Sequence, residues 1–290
     1  MPTPAHEPRP LVMGILNVTP DSFSDGGQWL EPDLAVRRGR EMIDEGADIV
    51  DVGGESTRPG ADAVPTDVEL DRVIPVVEAL AGRVRVSIDT TKEAVASAAV
   101  EAGATLINDV SATLWPVAAR HGVGWVAMHR SGTPATMQRH PHYDDVVAEV
   151  TAMLADRAGR ATSAGVAEVW IDPGIGFGKS VEHNLSLLGS LDELVATGYP
   201  VLVGTSRKSF LGALDRRPGA EPTPVGERLP ASLATATWAL AQGARMVRVH
   251  DVAATVQAAT LVGAPHRAGP SGAGSVPAGG SGAEASVGLR

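Results

Sequence analysis

The chain has 290 residues, 43% of them hydrophobic and 20% charged, and a formal net charge of −10 at pH 7. This balance supports a packed core and excludes wholesale disorder or a collagen-like fibre, and the acidic charge argues against a nucleic-acid partner. The absence of cysteine excludes disulfides, cysteine-based metal sites and a cysteine nucleophile. No apolar run reaches the roughly 18–20 residues of a membrane span, and the first ten residues lack the form of a secretory signal, so we expect a cytoplasmic protein with no membrane partner.

Two segments at the ends of the chain have compositions typical of disorder. Residues 1–10 are rich in proline, and residues 264–290 are mainly Gly, Ala, Ser and Pro. Such segments cannot bury enough apolar surface to offset the entropy lost on ordering. We therefore predict one folded domain over residues 11–263, between a disordered leader and a disordered tail.

Within this domain, short β-branched runs alternate with longer runs rich in Ala, Leu, Glu and Arg. Several of the longer runs are followed by glycine, a common helix stop. The short runs predict eight strands, at 11–18, 48–53, 84–89, 105–110, 125–129, 169–173, 201–206 and 246–250. The longer runs predict eight helices, at 33–46, 67–80, 92–102, 115–121, 143–164, 181–197, 229–242 and 252–262.

Eight strand-plus-helix units predict an α/β fold in which the strands run parallel. Their number and the length of the domain match a single (β/α)₈ TIM barrel. The alternative is an open doubly wound sheet, which usually has a glycine-rich turn after its first strand. Here the first strand leads into NVTPDSF instead, so the barrel is favoured.

Polar side chains stand at the carboxyl ends of six of the eight predicted strands, the end where barrel enzymes have their active sites. A single strand-end Asp more often caps a turn or helix, but capping does not explain six such ends. Arg248 and His250 share one face of their strand, and Ser206 and Lys208 share one if their strand continues that far. The residues concerned are Asn17, Asp89, Asn108, Asp172, Lys208, Arg248 and His250.

These side chains offer two kinds of chemistry. Asp89, Asn108 and Asp172 can pair with the donors of a flat heterocycle, since a carboxylate can accept two parallel N–H groups. Arg248 and His250 suit a phosphate or diphosphate. Asn17 supplies a hard oxygen that could help to hold Mg²⁺ on that diphosphate. Two polar loops at the same end, 19–28 and 55–64, are candidates to close over a substrate.

Eight motifs in order resemble the dihydropteroate synthase family. They are GILNVTPDSFSDGG (14–27), DIVDVGGESTRPG (48–60), SIDT (87–90), INDV (107–110), MH with GTPATMQ (128–138), IDPGIGFGK (171–179), GTSRKSFLG (204–212) and RVHDV (248–252). The resemblance implies a homodimeric TIM-barrel transferase that joins 6-hydroxymethyl-7,8-dihydropterin diphosphate to p-aminobenzoate. The products would be dihydropteroate and diphosphate, Mg²⁺ the cofactor, and sulfonamides the inhibitors.

The resemblance also implies a role for each matching residue. The pterin is expected to be held by Asp89, Asn108, Asp172 and Lys208, with Met128, Phe177 and Gly204 packed around its ring. The diphosphate is expected to be held by Thr57, Arg58, Arg248 and His250, with Asn17 as the metal ligand. The p-aminobenzoate pocket is expected to be lined by Phe23, Pro59, Lys208 and Ser209. Catalysis is expected to depend on Lys208, Asp89, Arg248 and His250.

Two other functions compete with the synthase. A methyltetrahydrofolate-dependent corrinoid methyltransferase also binds a pterin in a barrel. Because it binds no diphosphate, it should lack the Arg207-Lys208 dipeptide after strand seven and the Arg248-x-His250 pattern on strand eight, and both are present here. A non-catalytic paralogue would keep the barrel and lose residues such as Phe23, Arg58 or Lys208, and all three are present. The sequence therefore favours the synthase.

Overall fold

The computed structural model describes residues 9–19, 31–56, 63–132, 137, 141–214 and 221–263. The predicted leader falls almost wholly outside these residues, and the predicted tail does so entirely. The domain boundaries at 11 and 263 therefore stay a prediction. None of the helices within the described ranges is long and apolar enough to cross a membrane.

Eight parallel strands form one sheet in the order β6-β5-β4-β3-β2-β1-β8-β7. The remaining gap between β6 and β7 is bridged by Ile171 and Val201, and Ile171 N donates to Pro200 O over 3.1 Å. The sheet is thus a nearly closed barrel, as predicted. The strands are β1 Leu11–Asn17, β2 Ile49–Gly53, β3 Arg85–Asp89, β4 Leu106–Asp109, β5 Gly124–Met128, β6 Val169–Asp172, β7 Leu202–Val203 and β8 Met246–Val249.

Helices surround the barrel and cover the outward faces of the strands with a continuous apolar core. Six glycines at the ends of predicted helices adopt φ values between 68° and 115°; they are Gly46, Gly103, Gly122, Gly165, Gly198 and Gly243. The helices are α1 Glu31–Asp44, α2 Thr66–Leu80, α3 Glu93–Glu101, α4 Trp115–His121, α5 Val146–Ser163, α6 Val181–Gly189, α7 Leu191–Val195, α8 Ser209–Leu214, α9 Leu229–Ala241 and α10 Val252–Gly263.

Three predicted elements differ from the structure by more than two residues. The helix predicted at 181–197 is two helices, because the weak helix former Gly189 ends α6 and Ser190 has φ −123° and ψ 36°. The helix predicted from residue 143 begins at Val146, since Asp145 Oδ1 accepts hydrogen bonds from the first free backbone N–H groups. The strand predicted at 201–206 is only two residues long, and α8 was not predicted.

The barrel interior has two layers that are set by strand parity. Side chains two residues apart on a strand point the same way, so Ile49 and Asp51 of β2 both face inward, as do Met246 and Arg248 of β8. The layer at the amino ends of the strands is apolar. Its buried members are Met13, Ile49, Leu106, Val126, Trp170, Leu202 and Met246. The layer at the carboxyl ends is polar, and the candidate site lies there.

Candidate active site

An arginine between two carboxylates occupies the centre of the polar layer. Arg248 donates from Nε to Asp51 Oδ2 and from Nη2 to Asp89 Oδ2, each over 2.6 Å. Asn108 Nδ2 donates to the same Asp51 oxygen over 2.9 Å. Asp51, Asp89 and Asn108 are buried, and neighbouring strands place them side by side. The structure therefore brings three predicted site residues together around Asp51.

Burial dominates the electrostatics of this cluster. It raises the pKa of Asp89 to about 7, against the opposing attraction of Arg248 and with repulsion from Asp51 adding to the rise. The pKa of Arg248 is raised by the two carboxylates, although burial opposes the rise. One arginine thus balances two buried carboxyl groups, and Asp89 changes its charge readily near neutral pH.

Three buried oxygens of this layer have no hydrogen-bond partner among the residues that the structure describes: Asp51 Oδ1, Asp89 Oδ1 and Ser87 Oγ. A buried polar atom without a partner is costly, and native proteins usually satisfy it with water or a ligand. When the carboxyl groups are ionised, these two oxygens can accept hydrogen bonds but cannot donate them. This layer therefore has unused acceptor atoms that water or a donor-rich ligand can satisfy.

Asp172 and Lys208 lie at the same end of the barrel and attract each other electrostatically. Burial raises the pKa of Asp172, with attraction to Lys208 as the main opposing effect, and burial lowers the pKa of Lys208 to about 8. Gly174 N donates to Asp172 Oδ1 over 2.7 Å. Lys208 Nζ donates to Ile175 O and lies 4.7 Å from the centre of the Phe177 ring, within cation–π range.

A left-handed turn directs Lys208 toward this site. Arg207 has φ +58°, a conformation that non-glycine residues rarely adopt. The turn is held because Arg207 N donates to Ser232 Oγ over 2.9 Å and Arg228 Nη1 donates to Arg207 O over 3.1 Å. Arg207 itself pairs with Asp251. The strand geometry therefore does not continue to Lys208, and this turn sets its direction instead.

His250 and Asn17 lie at the ends of adjacent strands β8 and β1. Both line a cavity of about 430 Å³, together with Arg207 and Arg37. His250 Nδ1 lies 3.0 Å from Ser206 Oγ, which also accepts from His250 N over 3.1 Å. The cavity lining therefore includes the Asn17 amide, the His250 imidazole and the Arg37 and Arg207 guanidinium groups, with the carboxylate of Glu41 also present.

The other predicted residues fall into two groups. Met128 is 5% exposed, at the carboxyl end of β5 beside Asp172. Gly204 is buried after β7, with its α-carbon facing Arg248 and Lys208, and Ser209 is exposed at the start of α8. The predicted residues Phe23, Thr57, Arg58 and Pro59 lie outside the described residues, and their roles stay predictions.

Asp51 is the central residue that the sequence interpretation missed. It stands inside the apolar run IVDVG, two residues after Ile49 and two before Gly53. A charged residue in the middle of a strand buried on both faces is the signal that could have identified it, since such a charge needs a buried partner. That partner, Arg248, is 197 positions away in the chain.

Comparison with known proteins agrees with this geometry. The family model described as "Pterin binding enzyme" matches residues 13–250. The dihydropteroate synthase of Mycobacterium leprae is 50% identical over 269 residues, which cover 89% of this chain and 94% of that protein. The dihydropteroate synthase of Escherichia coli K12 is 49% identical over 264 residues, which cover 88% and 91%.

Solved structures give the same result. The Yersinia pestis dihydropteroate synthase in a sulfonamide drug complex has a TM-score of 0.82 and 46% identity, and the match covers 90% of this chain and 95% of that one. The Xanthomonas albilineans dihydropteroate synthase in complex with 7,8-dihydropteroate has a TM-score of 0.79 and 44% identity over 90% and 95%. The chain therefore belongs to the pterin-binding enzymes, as a member of the dihydropteroate synthase family.

Proposed function

We propose that this transferase condenses 6-hydroxymethyl-7,8-dihydropterin diphosphate with p-aminobenzoate through the polar layer at the carboxyl ends of its strands. The single observation that carries this proposal is that the Asp51–Arg248–Asp89 cluster shares its end of the barrel with Asp172 and Lys208. The five side chains come from four strands, β2, β3, β6 and β8, and from the turn after β7, and they meet in one barrel mouth. A merely structural layer has no need of this many buried charges, because burying them costs stability.

The pterin fits the carboxylates of this layer. Its pyrimidine edge presents neighbouring N–H donors in one plane, and a carboxylate is the acceptor that matches such a pair. Asp172 and Asp89 supply carboxylate oxygens, and Asn108 supplies an amide between them along the barrel. Phe177 and Met128 provide apolar surface beside the ring. The unsatisfied oxygens of Asp51 and Asp89 support a ligand that brings donors.

The diphosphate fits the cationic side of the same mouth. Arg248 and His250 lie two residues apart at the carboxyl end of β8. Arg207 and His250 line the same cavity. Cations placed against a leaving diphosphate stabilise the charge that develops as it departs. Thr57 and Arg58, which the family motif also assigns to the diphosphate, extend this set.

Mg²⁺ is proposed as the metal, and the donor set fits it. No group of three or more His, Asp or Glu side chains within the described ranges is arranged to hold a metal ion. Asn17 offers a partly buried amide oxygen beside the cavity, and Mg²⁺ commonly takes few protein ligands while keeping phosphate oxygens and waters. When bound, the ion would neutralise part of the diphosphate charge, with Asn17 as its protein ligand.

The chemistry requires no strong base on the protein. The bond between the pterin methylene carbon and the diphosphate oxygen breaks, and its electron pair leaves with the diphosphate. The aniline nitrogen of p-aminobenzoate then forms the new carbon–nitrogen bond and releases a proton. Positive charge that develops on the pterin is stabilised by Asp89 and Asp172, so catalysis is mainly positioning and electrostatics. Lys208 borders both the pterin and the p-aminobenzoate pocket, where Ser209, Phe23 and Pro59 are the other proposed contacts.

Exposed apolar side chains on the last two long helices support a homodimer. α9 and α10 pack on each other, and each leaves a large apolar side chain in solvent: Trp238 is 52% exposed and Leu261 is 72% exposed. Exposed apolar surface of this kind is typical of protein–protein contacts. We therefore propose a homodimer through these helices, and light scattering of the purified protein measures its mass directly.

The proposed reaction is tested by mixing purified protein with pterin diphosphate, p-aminobenzoate and Mg²⁺ and following dihydropteroate. Each component is left out in turn. The proposal requires product only in the complete mixture, and a sulfonamide should compete with p-aminobenzoate. Absence of product from the complete mixture would overturn the function, and product formed without the metal would overturn the role of Mg²⁺.

A further inference from the structure

A buried lysine lies just behind the site, at the end of the segment that follows β6. Lys179 is only 3% exposed, which is rare for lysine. Its Nζ lies 2.9 Å from His129 Nδ1, 3.1 Å from Gly174 O and 3.2 Å from Phe177 O. Three neighbours match the three N–H groups of an ammonium, so the side chain is fully engaged.

The contacts to the two carbonyls do not depend on the charge of Lys179. Burial lowers the pKa of Lys179 to about 7, with Asp172 opposing the shift and Lys208 adding to it. Both the ammonium and the neutral amine have enough N–H groups to donate to two carbonyls. His129 complements either form, because its Nδ1 can accept from the ammonium or donate to the amine. Lys179 can therefore donate to the same two backbone carbonyls in either charge state.

Those backbone atoms belong to residues that contact the site. The Gly174 carbonyl accepts a hydrogen bond from Lys179, and the Gly174 N–H donates to Asp172 Oδ1 over 2.7 Å. The Phe177 carbonyl accepts a hydrogen bond from Lys179, and the centre of the Phe177 ring lies 4.7 Å from Lys208 Nζ. Between these two residues, Ile175 O accepts a hydrogen bond from Lys208. Each backbone carbonyl that Lys179 contacts thus belongs to a residue that itself contacts Asp172 or Lys208.

Close packing and further hydrogen bonds also hold residues 174–178 in this conformation. Gly174 has φ +63°, and a Cβ at this position would lie 1.8 Å from His129 O. Only glycine therefore allows these two backbone segments to approach this closely. Farther along, Gly176 N donates to Asn184 Oδ1 over 2.7 Å and Tyr143 Oη donates to Gly178 O over 2.9 Å. These contacts hold the far side of the segment, and Lys179 holds the side that faces Asp172.

We propose that Lys179, supported by His129, is a positioning residue for pterin binding: it fixes residues 174–177 and through them sets the orientation of Asp172 and Lys208. Lys179 touches neither substrate in this proposal. The inference rests on the proposed function, since it assigns Asp172 and Lys208 to the pterin. It also gives a role to the final lysine of IDPGIGFGK and to the histidine of the MH motif.

The first test compares Lys179→Met with Arg85→Met. Methionine keeps a long side chain in both places and removes the donors. Arg85 is the control because it pairs with Glu168 over 2.8 and 2.6 Å at the amino end of β3, at the opposite end of the barrel. Affinity for 7,8-dihydropterin is measured by fluorescence titration, and thermal unfolding is recorded for every variant.

Loss of one charge-assisted hydrogen bond weakens binding by about 10–100-fold, so Lys179→Met, which misplaces Asp172, should bind dihydropterin at least about 10-fold more weakly than wild type. Arg85→Met should stay within about threefold, although both variants lose stability. A loss below fivefold in folded Lys179→Met overturns the proposal. Equal losses in both variants also overturn it, since the effect is then one of stability alone.

The second test covers the case in which Lys179→Met does not fold. It compares His129→Leu with His129→Asn, because asparagine places an amide close to the position of Nδ1 and leucine does not. The proposal requires His129→Asn to bind dihydropterin at least fivefold more tightly than His129→Leu, and a smaller difference overturns it. Wild-type protein is assayed in parallel for dihydropteroate. No product from wild type defeats the proposed function, whereas normal product with unaffected variants defeats only the role of Lys179.

Discussion

The two layers of the barrel interior are built by the same strands and have opposite character. β2 contributes Ile49 to the amino-end layer and Asp51 to the carboxyl-end layer, and β8 contributes Met246 and Arg248. β6 likewise contributes Trp170 and then Asp172. A step of two residues, about 6.6 Å along a parallel strand, therefore separates side chains that stabilise the fold from side chains placed for chemistry.

The two layers also differ in what they contribute to stability. The apolar layer removes large side chains from water, which stabilises the fold by about 25 cal/mol per Å² of apolar surface. The polar layer buries carboxylates whose charged forms are disfavoured, as the raised pKa of Asp89 shows. Buried charges of this kind are retained at functional sites despite their cost. Mutations in the two layers should therefore have different consequences.

The largest expected effect is in the polar layer, on turnover. Lys208→Ala should lower kcat/KM for both substrates by about 10³-fold, because preorganised charge at the site is lost. Stability should be unchanged or higher, since burial lowers the pKa of Lys208 to about 8 and so disfavours its charged form. Steady-state kinetics and thermal unfolding measure the two quantities. Turnover within about threefold of wild type would contradict the assignment of Lys208.

The matching change in the apolar layer should affect stability instead. Leu106 is fully buried, two residues before Asn108 on β4. Leu106→Ala should lower the free energy of unfolding by about 2–5 kcal/mol through lost burial and the cavity left behind. Urea unfolding measures the loss. At temperatures where the variant is folded, kcat should stay close to wild type, and a large fall in kcat without loss of stability would break the separation between the layers.

A third effect is a pH dependence that belongs to Asp89. Its pKa is 3.8 in the unfolded chain and about 7 in the fold. The folded state therefore binds the extra proton between these values, and this contribution to stability is present below about pH 4 and lost as the pH rises through 7. Asp89→Asn should remove that part of the pH dependence.

Chemical unfolding at several pH values from 4 to 8 measures this contribution. Glu93→Gln is the control, because the Glu93 side chain is 62% exposed in a surface pair with Arg120. This substitution should leave the dependence of unfolding free energy on pH nearly unchanged. Identical pH profiles for Asp89→Asn and wild type would show that Asp89 titrates normally.

The smallest effect is expected from the C-terminal segment. Deleting residues from Ala268 onward should leave kcat unchanged and shift the melting temperature by less than about 2 °C, because the composition of this segment offers no core to lose. Kinetics and thermal unfolding of the shortened chain check this. A marked loss of either quantity would show that the tail contributes to the fold or to the site.

Much of this molecule follows from patterns that are local in sequence. The eight strands, the glycine stops and the polar strand ends Asp89, Asn108 and Asp172 are all readable, because strand alternation and helix termination act over a few residues. Asp51 was missed because its partner is distant in the chain. The turn that directs Lys208 was missed because Arg207, rather than glycine, takes the left-handed conformation. Contacts from Ser232 and Arg228 hold that turn, and such tertiary support leaves no local signal.

The central claim is that the polar layer, and not the barrel as a whole, binds the pterin. It is tested most directly by titrating 7,8-dihydropterin into Asp172→Asn and Leu106→Ala side by side with wild type. A charge-assisted hydrogen bond contributes roughly 1.5–3 kcal/mol, so Asp172→Asn should bind about 10–100-fold more weakly. Leu106→Ala should bind within about threefold of wild type. Equal affinities for Asp172→Asn and wild type, or equal losses in the two variants, would contradict the claim.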